Sequence, residues 1–401
     1  MSQTPRSASH PLGWLLLLGA LTGLGPVSID LYLPAFTLIE KDLGEGIENT
    51  LAAYMFGVAI GQLFYGPISD RFGRKPPLYA ALTLYVLGSL GCALADSMTA
   101  LTLSRLLQAL GGCAGVVIAR AVVRDCCEVN EAARVFSTLI VITAVGPIIS
   151  PLLGSFITEA GNWRTLFHIQ AVLGVVLLLA VHFALKETGQ RGGALSLRKV
   201  AATYADLLRD RSFAGHALLG ACAIAVIFCY IASAPTVLTS SYGLTSLQLA
   251  LLIGLNGMSF VIGSQFNLYR LRVHAPATIL RVAVWVPVLF AGTTLLVALY
   301  TAPQLWLLVL LQLGIFIGIG HIGPNAVAEA LAHQGARAGT ASALLGSIQS
   351  VGSTLAGFAT AIFCGGNVQA MALLMLVASL AMLTAHRWLT RSASVAPVNR
   401  H

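Results

Sequence analysis

Two charged side chains stand inside long apolar segments, where an unpaired charge is costly. Asp30 lies within the apolar stretch 12–36, between Pro26 and Pro34, and Arg105 lies near the start of the fourth apolar run. Such groups usually face a water-filled cavity or an ion path, because lipid does not solvate them. The alternatives are a structural hydrogen bond at a helix break for Asp30 and a snorkelling or structural role for Arg105. We interpret both as candidate proton-coupling groups, with Arg105 tuning the proton affinity of Asp30 if its charge reaches that site.

The composition places these charges in a membrane. Of the 401 residues, 57% are hydrophobic and only 9% are charged, and the mean hydropathy is +0.84. A soluble chain carries about 25% charged residues, so this chain cannot cover a globule in water. Runs of about 20 apolar residues, the length of a membrane span, recur along it. The sequence therefore predicts an all-α membrane protein.

Charge-free intervals give the number of spans. No Lys, Arg, Asp or Glu occurs in 212–269, 282–328 or 338–386. Each interval is long enough for two apolar helices joined by a neutral turn, because one span needs about 20 residues. Six further apolar runs precede residue 186. We therefore predict twelve transmembrane helices.

The longest hydrophilic stretch, 186–212, divides the chain almost in half. We predict that it is a cytoplasmic linker between two pseudo-symmetric six-helix bundles, residues 1–185 and 213–401, an arrangement known in transporters. The halves echo each other weakly, since Gly61 and Gly263 each precede a basic loop, although the second loop lacks an aspartate.

Basic residues are distributed unequally between the two sides of these bundles. All 23 Lys and Arg residues except Lys41, Arg105 and Arg164 fall on the side that carries both termini. Basic loops stay in the cytoplasm, so we predict that both termini are cytoplasmic. The same distribution accounts for the net charge of +8 without a nucleic-acid partner.

A glycine-spaced string of charges lies between the second and third spans. The string GQLFYGPISDRFGRK starts at Gly61. Gly61 admits a close neighbour, Gly66 and the following proline interrupt the helix end, and Asp70 stands among Arg71 and Arg74. A carboxylate here can pair with basic groups or with the N-terminus of a facing helix. The alternative is an ordinary charged turn, but the whole string favours a conformational latch between the bundles.

Small residues and prolines mark the fifth predicted span. Gly146, Pro147, Pro151 and Gly154 lie on nearly one helical face. Such a face permits close packing and a kink. A plain packing interface explains these residues nearly as well.

These strings resemble the signatures of the major facilitator superfamily. The string from Gly61 is similar to its helix 2–3 signature. Other strings are similar to helices 1, 4, 5, 10 and 11 of its bicyclomycin-resistance (Bcr/CflA) drug exporters: SIDLYLPA at 28–35, RLLQALG at 105–111 followed by RAVVRD at 120–125, GPIISPLLG at 146–154, GPNA at 323–326 and GTASAL at 339–344.

The resemblance implies a twelve-helix fold, alternating access and proton-driven efflux. One departure bears on the coupling. Some related exporters carry a second acid two turns before the helix 1 aspartate, where this chain has Thr22. Coupling would then depend more heavily on Asp30.

Polar and aromatic residues within the spans are candidate cavity residues, although any one of them is as well explained by interhelical hydrogen bonding or packing. The set comprises Tyr32, Tyr54, Gln108, Asn256, Asn325 and Gln349.

We therefore expect a monomeric proton:substrate antiporter that exports small molecules across the bacterial inner membrane. Uptake of a metabolite such as a nucleoside or amino acid by the same fold is one alternative, and a non-transporting receptor or scaffold is another. The run from Gly146 to Gly154 argues against the first, and the buried Asp30 and Arg105 argue against the second. The chain has no phosphate-binding loop, HExxH or Cys-x-x-Cys motif, and its seven cysteines lie mostly in apolar runs. We expect no cofactor, no metal and no enzymatic activity.

The linker gives the first testable prediction. A reporter that is active only in the periplasm, inserted near Gly192, stays inactive while the protein still inserts, because this segment is charged and contains no run able to span. An active reporter at Gly192 would overturn the orientation.

Overall fold

The computed structural model describes residues 11–44, 47–159, 162–189, 197–244, 246–301, 303–364 and 366–387. Within these ranges the chain is almost entirely helical and contains no β-strand. Lipid explains this, because a helix satisfies its own backbone N–H and C=O groups where no water is present.

The helices of the first half pack α1 against α6, α7 and α8, and α4 against α5 and α8. They are α1 (Leu12–Asp30), α2 (Phe36–Leu43), α3 (Ile47–Phe72), α4 (Lys75–Ala93), α5 (Met98–Gly112), α6 (Ala114–Cys126), α7 (Val129–Glu159) and α8 (Arg164–Ala184).

A short helix in the linker, α9 (Leu197–Arg209), precedes the helices of the second half. They are α10 (Arg211–Tyr242), α11 (Ser246–Arg270), α12 (Pro276–Ala283), α13 (Trp285–Tyr300), α14 (Leu305–Leu331), α15 (Ala338–Phe363) and α16 (Val368–Ala385).

Ten stretches of the described residues are long and apolar enough to cross a membrane, with α5 and α6 forming one span and α12 and α13 another. Helices α7 and α15 occupy the remaining predicted positions. Their 31 and 26 residues give roughly 39 Å or more at 1.5 Å per residue, against about 30 Å of hydrocarbon. The predicted all-α membrane fold is confirmed.

The predicted first span, 12–36, is wrong at its end. Helix α1 stops at Asp30, and a 3₁₀ turn over Leu33–Ala35 leads into α2. Pro34 supplies the reason, because it has no backbone N–H and disfavours helical geometry in the residue before it. Asp30 is therefore the last residue of α1 and does not lie in mid-helix.

Close helix packing depends on glycines that face a neighbouring backbone. A Cβ atom on Gly115 of α6 would lie 2.1 Å from the carbonyl oxygen of Leu21 on α1. A Cβ atom on Gly111 of α5 would lie 2.4 Å from the carbonyl oxygen of Ala81 on α4. Small residues let membrane helices approach in this way, and the contact area replaces the hydrophobic effect that lipid does not supply.

The same contacts recur in the second half. A Cβ atom on Gly61 of α3 would lie 2.4 Å from the sulfur of Cys113 and 3.4 Å from the carbonyl oxygen of Leu110 on α5, and one on Gly263 of α11 would lie 2.2 Å from the carbonyl oxygen of Ile317 on α14. Helices α11 and α14 are thus the counterparts of α3 and α5, in agreement with the predicted pseudo-symmetry.

The linker contains a helix that the sequence analysis does not anticipate. In α9, the Tyr204 hydroxyl donates a hydrogen bond to the carbonyl oxygen of Leu63, 2.5 Å away, and Leu207 is fully buried. The apolar face of α9 therefore packs on the bundle. Residues 190–196, with Gly192, lie outside the described part, and the domain boundaries at 185 and 213 stay a prediction.

The packing of α6 on α1 gives a stability prediction. Gly115→Ala lowers the thermal unfolding midpoint in detergent, with a cost of about 1–3 kcal/mol, because the backbone of Leu21 has to move. Gly254→Ala is the matched control, since nothing lies within 4 Å of its Cβ position. Equal midpoints for the two variants would contradict the α1–α6 contact.

Candidate functional site

Asp70 joins the two halves at the side that carries the basic loops, here called the basic side. Its Oδ1 accepts a hydrogen bond from the backbone N–H of Gly339 at 2.8 Å. Its Oδ2 accepts bonds from the N–H and the hydroxyl of Thr340, both at 2.6 Å. These groups form the first turn of α15, whose unpaired N–H groups and positive dipole end favour an anion. Asp70 of the first half therefore caps a helix of the second.

A buried arginine that pairs with two acids holds the Asp70 carboxylate in place. Arg74 Nη1 donates to Asp70 Oδ1 at 2.7 Å, and Arg74 Nε donates to Asp125 Oδ2 at 2.8 Å. The Arg74 side chain is only 2% exposed. Burial by itself lowers the pKa of Arg74, but the hydrogen bond to Asp125 and the charges of Asp125 and Asp70 outweigh it, so the pKa is raised. Arg74 stays charged and bridges the two acids.

Glu187 fastens the same turn from the end of the sixth span. Its carboxylate accepts hydrogen bonds from the backbone N–H groups of Arg74 at 2.6 Å and Lys75 at 3.0 Å. Burial raises the pKa of Glu187, but the bonds from Arg74, Lys75 and Gly189 outweigh burial, and the pKa is lowered. Glu187 thereby holds the backbone of the turn that carries Arg74.

The predicted latch residues do not all join this network. Gly66 lies in the interface, where a Cβ atom would come within 2.5 Å of Ala343 and of the Gly339 carbonyl oxygen. Gly61 packs within the first half, against α5. Arg71 lies against the Phe72 ring, with its guanidinium carbon 4.8 Å from the ring centroid.

Two further arginines of the first half reach helix ends of the second half. Arg124 Nε donates to the Leu331 carbonyl oxygen at 2.7 Å, and its Nη2 donates to the carbonyl of Ala332. Arg134 Nη2 donates to the Leu271 carbonyl oxygen at 2.7 Å. Cations are favourable at helix C-termini because the unpaired carbonyls carry negative charge. Arg124 and Arg134 therefore cap α14 and α11 as Asp70 caps α15.

Buried amides extend the closed interface toward the membrane interior. Asn267 Nδ2 donates to Ser137 Oγ at 2.9 Å across the two halves, and Asn325 Nδ2 donates to Asn267 Oδ1 at 2.7 Å. Arg120 Nη2 donates to Gln349 Oε1 at 3.1 Å. The cavity candidates Asn325 and Gln349 thus lie in or beside contacts that close the basic side.

Arg105 occupies an aromatic cage near the other side. Its guanidinium carbon lies 4.2 Å from the Tyr54 ring centroid, 4.5 Å from that of Tyr32 and 5.9 Å from that of Phe167. The arginine and all three rings are fully buried. Aromatic faces stabilise a desolvated cation by about 2 kcal/mol. The cavity candidates Tyr32 and Tyr54 are walls of this cage.

A chain of amides connects Arg105 to α1 and α8. Arg105 Nη1 donates to Gln108 Oε1 at 2.6 Å and to the Ser28 carbonyl oxygen at 3.3 Å. Gln108 Nε2 donates to Ser89 Oγ at 2.7 Å and to Gln170 Oε1 at 2.6 Å. Arg105 Nε and Nη2 have no partner among the described residues. Gln108 is therefore a partner of Arg105.

The structure does not bring Asp30 and Arg105 together. Arg105 bonds to the carbonyl of Ser28, whereas Asp30 stands two residues further on, on another face of α1 and only partly buried. No described side chain pairs with the Asp30 carboxylate. Any influence of Arg105 on Asp30 acts without a direct contact.

The segment after Asp30 is held to the start of α8. Asp42 of α2 accepts hydrogen bonds from Arg164 Nη1 at 2.6 Å and Trp163 Nε1 at 3.1 Å. These bonds, that of Arg164 first, lower the pKa of Asp42. Since a lowered folded-state pKa stabilises the fold above the unfolded-state value, this contact persists at neutral pH and weakens only in strong acid.

The glycines of the fifth predicted span face α1. A Cβ atom on Gly154 of α7 would lie 2.4 Å from the Leu31 carbonyl oxygen, and one on Gly146 would lie 3.0 Å from a methyl group of Val27. Helix α7 thus packs closely along α1 on both sides of Asp30. The side chains of Pro147 and Pro151 lie outside the described part.

Sequence reasoning missed Arg124 and Arg134 as interface residues, and Asp125 and Glu187 as partners of the turn at Arg74. Arg124 and Asp125 stand in the RAVVRD string, which was a signal. Their roles were not readable, because Arg124 and Arg134 bind backbone carbonyls that any residue carries.

The twelve-span fold and the interface locked on one side define a membrane transporter built of two helical bundles. The sequence model of the Major Facilitator Superfamily matches residues 15–357, and the chain belongs to this superfamily.

Curated relatives agree with this assignment. The chain is 37% identical to the uncharacterized MFS-type transporter YdgK of Bacillus subtilis. It is 31% identical to the multidrug resistance protein MdtL of Shigella dysenteriae and 28% identical to the bicyclomycin resistance protein homolog of Haemophilus influenzae. Each match covers 84% of this chain and 85% of the relative. The predicted resemblance to bicyclomycin-resistance proteins is confirmed.

Solved structures show the same fold. The human organic anion transporter MFSD10 (TETRAN) superposes with a TM-score of 0.76 at 17% identity, covering 95% of this chain and all of that one. The transporter FucP, in the outward conformation, gives 0.75 at 15% identity, covering 93% and 98%.

The cap on α15 gives a prediction. Asp70→Asn removes a charge-assisted bond worth about 1.5–3 kcal/mol, which shifts the conformational ratio about tenfold or more toward the form open on the basic side. Maleimide labelling of Ser342→Cys, buried in α15, in a background without the native cysteines reports this opening. Arg71→Gln is the control and changes little. Identical labelling of Asp70→Asn and its parent would rule the latch out.

Proposed function

We propose that this transporter is a proton-coupled antiporter that exports small molecules, drugs among them, across the bacterial inner membrane as a monomer. The relatives named for multidrug and bicyclomycin resistance support export. The basic loops support cytoplasmic termini, so the side closed by the helix caps faces the cytoplasm and the opposite side faces the periplasm. A molecule closed to the cytoplasm corresponds to the conformation that releases an exported substrate.

One observation carries the coupling: the Asp30 carboxylate is partly buried, lies at the end of α1 away from the closed interface, and pairs with no described side chain. An acid in that position exchanges protons with the periplasmic side without breaking a salt bridge. In the alternate conformation the same carboxylate faces the cytoplasm and releases the proton there.

Exchange follows from competition at this carboxylate. Protonation on the periplasmic side neutralises Asp30 and weakens its hold on a cationic or polar substrate. Deprotonation on the cytoplasmic side restores it, so that proton and substrate affinities are reciprocally linked. Arg105 on α5 supports the site by holding α1 through Ser28 and, by way of Gln108, α8 through Gln170, not by touching Asp30.

The break at Pro34 and the close packing of α7 on α1 support the same mechanism. Because α1 ends at Asp30, a shift of α7 moves the carboxylate relative to the rigid segment fixed by Asp42 and Arg164. The helix caps around Asp70, Arg124 and Arg134 set the relative stability of the two conformations, and proton and substrate binding shift the balance between them.

Asp30→Asn tests the proposal. The variant keeps the shape of the side chain and removes its titration, so substrate binding is weaker and independent of pH, while substrate-induced proton release and uphill efflux are lost. Proton release is measured with a pH dye on purified protein, and efflux is measured as proton-driven ethidium quenching in inverted vesicles. Asp42→Asn is the matched control, since it removes an acid that is tied to Arg164. Uphill efflux by Asp30→Asn with the pH dependence of the parent would place coupling elsewhere.

A further inference from the structure

The second half contains a polar cluster at the position that the Arg105 cage occupies in the first. Arg105 on α5 and Gln312 on α14 each lie six residues before a glycine, Gly111 and Gly318. A Cβ atom on Gly111 would meet Tyr85 of α4, and one on Gly318 would meet Pro287 of α13. Gln312 is therefore the counterpart of Arg105.

The neighbouring helix gives the same equivalence. Tyr54 stands seven residues before Gly61 on α3, and Asn256 stands seven residues before Gly263 on α11. Gly61 contacts α5 and Gly263 contacts α14 at equivalent positions, so Asn256 is the counterpart of Tyr54. The Tyr54 ring forms one side of the Arg105 cage. The pseudo-symmetry thus directs Gln312 and Asn256 toward the same space.

The two amides are buried with unused hydrogen-bonding groups. Gln312 is 2% exposed and Asn256 is 1% exposed. Neither Oε1 nor Nε2 of Gln312, nor Oδ1 of Asn256, has a partner among the described residues. A buried polar group left in this state costs about 1–3 kcal/mol. In the first half Gln108 accepts a hydrogen bond from Arg105. The counterpart of Gln108 on α14 is the apolar Ile315, which cannot form such a bond with Gln312.

The surroundings of this cluster are aromatic. Asn256 Nδ2 donates to the Tyr230 hydroxyl at 2.8 Å. The Tyr230 ring packs edge-on against Phe316, one turn from Gln312, with 5.3 Å between the ring centroids. Two buried amides beside two rings match the chemistry of a flat, polar group.

The cluster is also uncharged. No Lys, Arg, Asp or Glu occurs in 212–269 or 282–328, which include these parts of α10, α11 and α14. An ionic ligand group would lose its hydration here without gaining a counter-ion. A neutral group with a donor beside an acceptor matches a carboxamide side chain atom for atom.

We infer that Gln312, Asn256 and Tyr230 form a substrate subsite for a neutral donor–acceptor group, such as a lactam, carboxamide or ureide edge. Gln312 accepts from the ligand N–H and donates to its carbonyl, while Asn256 Oδ1 accepts from a second donor. The inference rests on the proposed transport function and names the chemical class of the substrate.

Binding of uridine to purified transporter in nanodiscs tests the subsite. Uridine is uncharged and carries an N–H between two carbonyls, and 3-methyluridine lacks that donor. The parent protein binds uridine at least tenfold more tightly than 3-methyluridine. Gln312→Leu loses uridine affinity tenfold or more and no longer distinguishes the two ligands, while tetraphenylphosphonium, a cation without hydrogen-bonding groups, binds to both proteins alike.

Gln265→Leu is the matched control, because this glutamine lies on the exposed face of α11, and it binds uridine like the parent. Gln312→Met is the second variant if the leucine variant fails to fold. The subsite is overturned if the parent does not bind uridine, or if Gln312→Leu and the parent bind uridine with equal affinity. Equal affinity would mean that an ordered water satisfies Gln312. These binding assays need no proton gradient. Their outcome therefore does not depend on the outcome of the Asp30→Asn test.

Discussion

The capping of helix ends across the interface is the interaction on which this conformation depends. Asp70 sits on the N-terminus of α15, and Arg124 and Arg134 sit on the C-termini of α14 and α11. In each case the side chain belongs to the first half and the backbone groups belong to the second. A helix end carries about half an elementary charge, so these contacts are strong enough to close one side. They are also weak enough to open, because water satisfies the same groups when they part.

The basic loops of the two halves make different contacts in the closed interface. The first half has an aspartate in its basic loop, and the corresponding loop of the second half has none. The structure shows that the equivalent connection runs the other way, with Arg134 of α7 reaching the carbonyl of Leu271 at the end of α11. The connection at the end of α11 therefore uses an arginine of the first half and a backbone carbonyl of the second, and it needs no carboxylate.

The interiors of the two halves differ in charge. The first half buries a cation, and surrounds Arg105 with three aromatic rings and an amide chain that fixes α1, α5 and α8 together. The second half places the neutral Gln312 at the equivalent point. One half is suited to hold charge and the other to hold uncharged hydrogen-bonding groups. A substrate that passes between the two halves meets both chemistries.

The sequence alone determined the membrane class, the twelve spans and the residues of the latch string, because hydropathy and charge act locally and leave their pattern in the chain. It also indicated Asp70 as an anion at a helix end. Only the tertiary structure decided which helix end that is, since the partners in α15 are backbone N–H groups that carry no sequence signal. The same reason hid Arg124 and Arg134. The end of α1 at Asp30 and the separation of Asp30 from Arg105 were likewise decided by the fold, because the direction of a side chain from a broken helix depends on what packs around it.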